Sequence, residues 1–387
     1  MRLSAMLKRL FASLLLTLTT GVAVAEQPLI PAPPQLAATA YLLVDAHTGQ
    51  VLVEHNADKQ VPPASLTKMM TAYIVSEEIE KGSIKETDLV PISEKAWKKG
   101  GSKMFVKVGD KVPVIDLLRG VIIQSGNDAS IALAEYVSGS EEVFAEVMNQ
   151  QAELLGMRDT SFKNATGWPA EGHMTTARDL ATLARALIND HPEHYQIYSE
   201  KYFSYAGINQ PNRNRLLWRD NAVDGIKTGH TEAAGFCLVA SAQKRGMRLI
   251  SVVLGTDSDD KRAAESQKLL AYGFRYYQTH KVYSADDVLQ SERVWGGKEP
   301  QVGIAVEKDV FVTIPRGGEE SIKADLIIDG ELEAPIKKGQ QLGKVVVTLD
   351  GETVADVRAV AAEEVEQAGF FKRMWDALKR FVMSFFE

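Results

Sequence analysis

Pro62-Pro63-Ala64-Ser65-Leu66-Thr67-Lys68-Met69-Met70 passes from a rigid, extended pair of prolines into a helical pattern that runs to Glu80. Proline fixes its own φ and keeps the residue before it out of the α region, so the spacing predicts a helix opening at about Ser65. A side chain there sits among unpaired backbone N–H groups at the positive end of the helix dipole, where a developing anion is favoured. Residues three apart share a helix face, which places the Lys68 amine over the Ser65 hydroxyl. A neutral amine within hydrogen-bond reach can take the proton of an otherwise weak serine nucleophile. Most isolated Ser-x-x-Lys matches are only a capping serine and a solvated lysine, so the flanking sequence has to decide.

Two further stretches decide it. Asp116 to Gln124 reads as a helix too apolar to lie free in water, ending at Ser125-Gly126-Asn127 before another helix from Asp128 to Val137. Such a turn can aim Ser125 and Asn127 into one pocket, Ser125 to pass a proton to a leaving amine and Asn127 to orient a substrate amide. The local pattern fits a plain helix stop and restart equally well. Further on, Val223-Asp224-Gly225-Ile226-Lys227-Thr228-Gly229-His230-Thr231 reads as an edge strand on which Gly229 lets a ligand backbone approach and pair. Lys227 brings positive charge and Thr228 a hydroxyl for a carboxylate, with Arg213 as a second cation or else a surface ion pair. The N–H groups of Ser65 and His230 form the expected oxyanion hole.

The remaining sequence frames these motifs. The chain has 387 residues, 45% hydrophobic and 25% charged, enough for more than one core. A net charge of −7 argues against a nucleic-acid surface, which needs a basic face. The lone Cys237 stands in an apolar run and reads as a small buried hydrophobe. The seven histidines are scattered without ligand spacing, so neither a metal nor a cofactor is expected. Residues 1–25 read as a signal peptide: Arg2, Lys8 and Arg9, an apolar run from Leu10 to Leu18, then Ala23-Val24-Ala25. Its loss removes three positive and no negative charges and takes the chain from −7 to −10. Strands are expected at Tyr41–Val44, Gln50–Val53, Phe236–Ala242 and Arg248–Gly255, around a helical middle that reaches about Asn189. From Val282 short alternating runs separated by Arg316-Gly317-Gly318, Asp329-Gly330, Lys338-Gly339 and Asp350-Gly351 predict a small β-sandwich.

From Phe370 to Phe386 the bulky apolar residues, Met383 aside, fall in one arc of about 160°, with Lys372, Arg373, Asp376, Lys379, Arg380 and Ser384 opposite. About 25 Å of helix is too short to cross a bilayer, so the segment is expected to lie flat in the headgroups, its basic residues favouring anionic lipid.

Carried by Pro63-Ala64-Ser65-Leu66-Thr67-Lys68-Met69, Ser125-Gly126-Asn127-Asp128-Ala129 and Asp224 to Thr231, the chain resembles the low-molecular-mass penicillin-binding proteins that act as D-alanyl-D-alanine carboxypeptidases. That resemblance implies an α+β penicillin-recognising serine enzyme domain, an antiparallel sheet flanked by helices, over residues 26–281. A β-sandwich at 282–366 and a membrane-anchoring helix at 367–387 would follow. It implies removal of the terminal D-Ala from peptidoglycan pentapeptide stems through an acyl-enzyme on Ser65. Lys68 would be the base, Ser125 the relay, and Asn127, Arg213, Lys227, Thr228, Gly229, His230 and Thr231 would bind substrate. β-Lactams would acylate the same serine, and the protein would stand on the periplasmic side of the inner membrane of a bacterium. The segments Gly101–Phe105 and Asn164–His173 correspond to loops bordering the site, with no catalytic role carried over. One rival is a class A β-lactamase, but Glu171 lacks the Glu-x-x-Leu-Asn surroundings of that class. The other is a non-catalytic cell-wall scaffold, which the intact Ser65, Lys68, Ser125 and Lys227 set argues against.

Overall fold

The computed structural model describes residues 30–285, 287–383 and 385. The expected signal peptide lies outside these residues, as do Ser384 and Phe386. Five antiparallel strands form the first sheet, in the order Val51–His55, Ala40–Asp45, Met247–Thr256, Gly235–Lys244, Val223–Thr231. The expected strands all fall in this sheet, and Val223–Thr231 is its edge, leaving one side of its backbone free. Successive side chains of a strand point to opposite faces. Accordingly Leu42 and Val44 join the core under the helical middle, while Tyr41 and Leu43 join the core under the helix Asp259–Tyr276. Burial on both faces explains why these strands read as unbroken apolar runs rather than alternating ones.

The helix expected from Ser65 begins as a 3₁₀ turn, Ala64–Thr67, and becomes α-helical over Lys68–Glu80. Lys68 to Ser76 are all buried, so this is the central helix of the domain. Helices Val114–Ile123 and Asn127–Ser138 pack beside it and place Ser125 in the turn between them.

The second region is a six-stranded sheet, ordered Ile322–Ile328, Gln341–Leu349, Glu352–Ala361, Gln301–Val306, Val288–Trp295, Leu332–Glu333, with a separate pair, Tyr277–Tyr283 and Val310–Pro315. That pair begins at Tyr277, directly after the preceding helix and ahead of the expected boundary at Val282. The two regions meet at the buried Asp45 carboxylate, which accepts hydrogen bonds from the Thr279 and Thr313 hydroxyls and, at 2.8 Å, from the His47 N–H.

The C-terminal helix spans Phe370–Met383. Its apolar side is open: Phe371 is 80% exposed and Trp375 57%. Its polar side is held by the sandwich. The Gly296 N–H donates to Asp376 at 3.1 Å, Lys372 donates to the Lys298 carbonyl at 2.6 Å, and Arg380 pairs with Glu331 and Glu333. Lys372 and Arg380, expected to face lipid, are therefore engaged with protein. No helix among the described residues is long and apolar enough to cross a membrane.

Candidate active site

Ser65 caps no helix end, and its hydroxyl accepts a hydrogen bond from Lys68 Nζ at 3.1 Å. The same amine donates to the Thr166 carbonyl at 2.6 Å, which fixes where it points. Lys68 is 1% exposed, and burial pushes its pKa down to about 7. Arg213 and Lys99 add to the shift, and Asp128 and Glu141 oppose it. An amine so placed is deprotonated in part near neutral pH, as a general base requires.

Thr166 is held by a loop folded around one side chain. Asn164 Oδ1 accepts from the N–H groups of Thr166, Gly167 and Trp168 and from the Thr166 hydroxyl. Gly167 has φ +80°, and a Cβ there would run into the Ala64 carbonyl, so only glycine lets this loop close on the turn that bears Ser65. His173 donates or accepts with Thr67 Oγ1 at 3.0 Å, and burial lowers its pKa to about 4, so the ring is neutral at working pH.

Ser125 sits at φ +58°, in the left-handed region unusual for a side-chain-bearing residue, and Ala64, next to Ser65, is a similar outlier. Its hydroxyl is buried with no hydrogen-bond partner among the described residues. A buried orphan polar atom is uncommon, and here it faces the groove where a substrate can satisfy it. The next two residues anchor the loop opposite. Asn127 Nδ2 donates to the Gly100 carbonyl at 2.8 Å, and Asp128 accepts the Met104 and Phe105 N–H groups at 2.9 Å each.

Lys227 is 2% exposed and donates to the Thr228 carbonyl at 3.2 Å. Burial, then repulsion by Lys68, Arg213 and Arg262, holds its pKa well below the usual lysine range. Lys227 stands behind the groove wall, whereas Thr228, Gly229 and His230 line the wall itself. Gly229 packs on Leu66, Pro63 and Ala64, which brings the edge strand against the serine turn.

Ser65 lies where two hollows join. One, of about 570 Å³, is basic and holds Ser125, Arg213, Arg215, Thr228 and Arg262. The other, of about 670 Å³, holds Asn127, Trp168, Thr231 and Glu232. Ser125 and Asn127, expected in one pocket, line adjoining hollows that share Ser65, Ser102 and His230. Arg213 has no ion pair among the described residues; its Nε donates to the Gln124 carbonyl at 3.0 Å. Glu171 lines an adjoining hollow with Pro62, Pro63 and His173, one that Ser65 does not line. Cys237 is buried, and burial raises its thiol to about 11, so it is no nucleophile. Sequence reasoning missed Thr166, Asp128, Arg215, Trp168, Glu232 and Arg262. Of these only Asp128, directly after the second motif, carried a local signal.

A serine hydroxyl bonded to a buried lysine, a second serine lining the same groove, and a free strand edge beside them are the arrangement of a penicillin-recognising serine enzyme domain. The family model described as D-alanyl-D-alanine carboxypeptidase (peptidase S11) matches residues 27–258, and the one described as penicillin-binding protein 5, C-terminal domain, matches 277–367. The chain is 45% identical to D-alanyl-D-alanine carboxypeptidase DacA of Escherichia coli K12, over 91% of this chain and 89% of that one. It is 47% identical to DacC of the same strain, over 89% and 88%. The fold matches crystal structures of penicillin-binding protein 5 from Haemophilus influenzae with a TM-score of 0.81 at 43% identity, covering 87% of this chain and all of that one. The chain belongs to the peptidase S11 family of D-alanyl-D-alanine carboxypeptidases.

Proposed function

We propose that the chain removes the terminal D-Ala of peptidoglycan pentapeptide stems through an acyl-enzyme on Ser65. The observation that carries this is the Lys68 amine, buried, pushed to about 7, and 3.1 Å from the Ser65 hydroxyl. Neutral Lys68 takes the serine proton as the oxygen attacks the carbonyl between the two D-alanines. The oxyanion is met by the N–H groups of Ser65 and His230. Ser125 passes a proton to the departing D-Ala nitrogen, and the C–N bond breaks. Water, deprotonated by Lys68, then hydrolyses the ester. The substrate backbone extends along Gly229 to Thr231 as an added strand, with Asn127 on its amide. Its terminal carboxylate enters the basic hollow, held by Thr228 and Arg213, with Lys227 behind the wall. β-Lactams enter the same groove and acylate Ser65.

The leader places the mature chain outside the cytoplasm, on the periplasmic face of the inner membrane. Residues 26–276 form the catalytic part, 277–366 the spacer, and 367–387 the foot. With Phe370, Phe371, Met374 and Trp375 turned outward, the helix lies in the headgroup layer while the sandwich grips its polar side. Intact mass after benzylpenicillin treatment, with peptide mapping, tests the catalytic reading. A single adduct on the peptide containing Ser65, with D-Ala released from a pentapeptide, is expected. An adduct elsewhere, or no D-Ala release, overturns it.

A further inference from the structure

Arg262 lies in the first turn of the helix Asp259–Tyr276, is 8% exposed, and borders the basic hollow. Its Nη1 donates to the Gly229 carbonyl at 3.1 Å, and its other terminal nitrogen pairs with Asp259. The guanidinium stands 5.6 Å from the Phe236 ring, and Phe236 stacks 4.0 Å from the His230 ring, its cross-strand neighbour. Arg262, Phe236 and His230 therefore form one stack at the end of the edge strand.

The Gly229 carbonyl and the His230 N–H belong to the same peptide unit, and that unit is trans. In a trans unit the two groups point in opposite directions. A cation on the carbonyl thus leaves the N–H aimed away from Arg262, toward the free strand edge. It also draws electron density from the amide and strengthens the N–H as a donor. We propose that Arg262 is a positioning residue for the oxyanion hole: it holds and polarises, from behind, the peptide unit whose N–H meets the acyl oxygen. This rests on the reading that Ser65 is acylated and that His230 supplies that N–H. A donor held before the reaction stabilises the oxyanion without reorganising, which is where such sites gain most of their effect. The bland alternative is that Arg262 binds the substrate carboxylate, since it shares the hollow with Arg213.

The two roles separate by step and by substrate. The oxyanion forms again in deacylation, after the D-Ala carboxylate has left, and it also forms with a thioester that carries no carboxylate. Rates of acylation and deacylation would be measured in the full chain for Arg262→Ala and Arg262→Lys, with a D-Ala-D-Ala peptide and with a carboxylate-free thioester. Infrared spectra would follow the ester carbonyl of the penicilloyl-enzyme. Arg262→Ala should slow both steps, with both substrates, by about ten- to a hundredfold, a fraction of the loss from deleting an oxyanion donor outright. The ester band should move to higher wavenumber as its hydrogen bonds weaken, and Arg262→Lys should recover part of both effects. A loss confined to acylation by the carboxylate-bearing peptide, with the band unmoved, overturns the proposal in favour of carboxylate binding. Unchanged rates and band in Arg262→Ala also overturn it. If the unaltered protein forms no adduct on Ser65, the underlying reading has failed instead.

Discussion

Around the groove, Lys68, Lys227 and Arg262 are buried and the Ser125 hydroxyl is unpaired, whereas from Tyr277 onward the one buried polar side chain among the described residues is Thr313, bonded to Asp45. The sandwich leaves its charges in surface pairs such as Lys281–Asp309, Lys344–Asp356 and Arg358–Glu307. Pairs of that kind contribute little, so its stability comes from an apolar core alone. The catalytic region carries the reverse arrangement. Buried amines, an orphan hydroxyl and positive-φ residues each cost stability, and the two cores flanking its sheet must offset them. One region is built to react and the other to hold a shape.

Lys68→Met should break this contrast most severely. D-Ala release and penicillin acylation should fall by about 10³-fold or more. The melting temperature should rise by a few degrees, because a buried amine gives way to a side chain of similar length. A fall in melting temperature would show that the amine is not a destabilising element. The same group predicts a pH dependence. Its working form is the neutral amine, so acylation should climb with pH through about 7 and then level off. The stability effect has the same direction. The unfolded chain keeps this proton up to about 10.5 and the folded chain only to about 7, so between those values the unfolded state binds more protons and stability increases with pH. Lys68→Met should remove that share of the slope in denaturant titrations.

Gly167→Ala should come next. The added methyl meets the Ala64 carbonyl, displaces the Thr166 carbonyl from Lys68, and should slow acylation by about ten- to a hundredfold. An unchanged acylation rate would mean the loop does not orient the amine. Thr313→Val, at the joint, should lower stability by about 1–3 kcal/mol through the Asp45 carboxylate it leaves short of a donor, with D-Ala release from soluble peptides unaltered. Reduced release would mean that the sandwich tunes the groove. Deleting Phe370–Glu387 should have the smallest effect on the enzyme itself, none on soluble-peptide activity, while abolishing cosedimentation with anionic phospholipid vesicles. Retained sedimentation would remove the membrane role from the helix.

Ser65, Lys68, Ser125 and Lys227 were legible because each motif is local: a turn, a helix face or a strand carries its residues within a few positions. The sheet strands and the sandwich were legible from runs and turn residues for the same reason. The grip of Asp376 and Arg380 on the sandwich was not, since an amphipathic pattern shows which side is polar but not what meets it. Neither was the placing of Ser125 and Asn127 in two adjoining hollows that share Ser65, which depends on how sharply the chain turns after a left-handed residue.

Short-range order in the chain, through periodicity and motif spacing, determined the kind of fold and pointed to the candidate nucleophile and base. Tertiary structure alone decided that a backbone carbonyl from residue 166 aims the amine of residue 68, and that a guanidinium from residue 262 rests on the carbonyl of residue 229. Those contacts join segments separated by 98 and 33 positions, and the electrostatic consequences of burial exist only once the segments have packed.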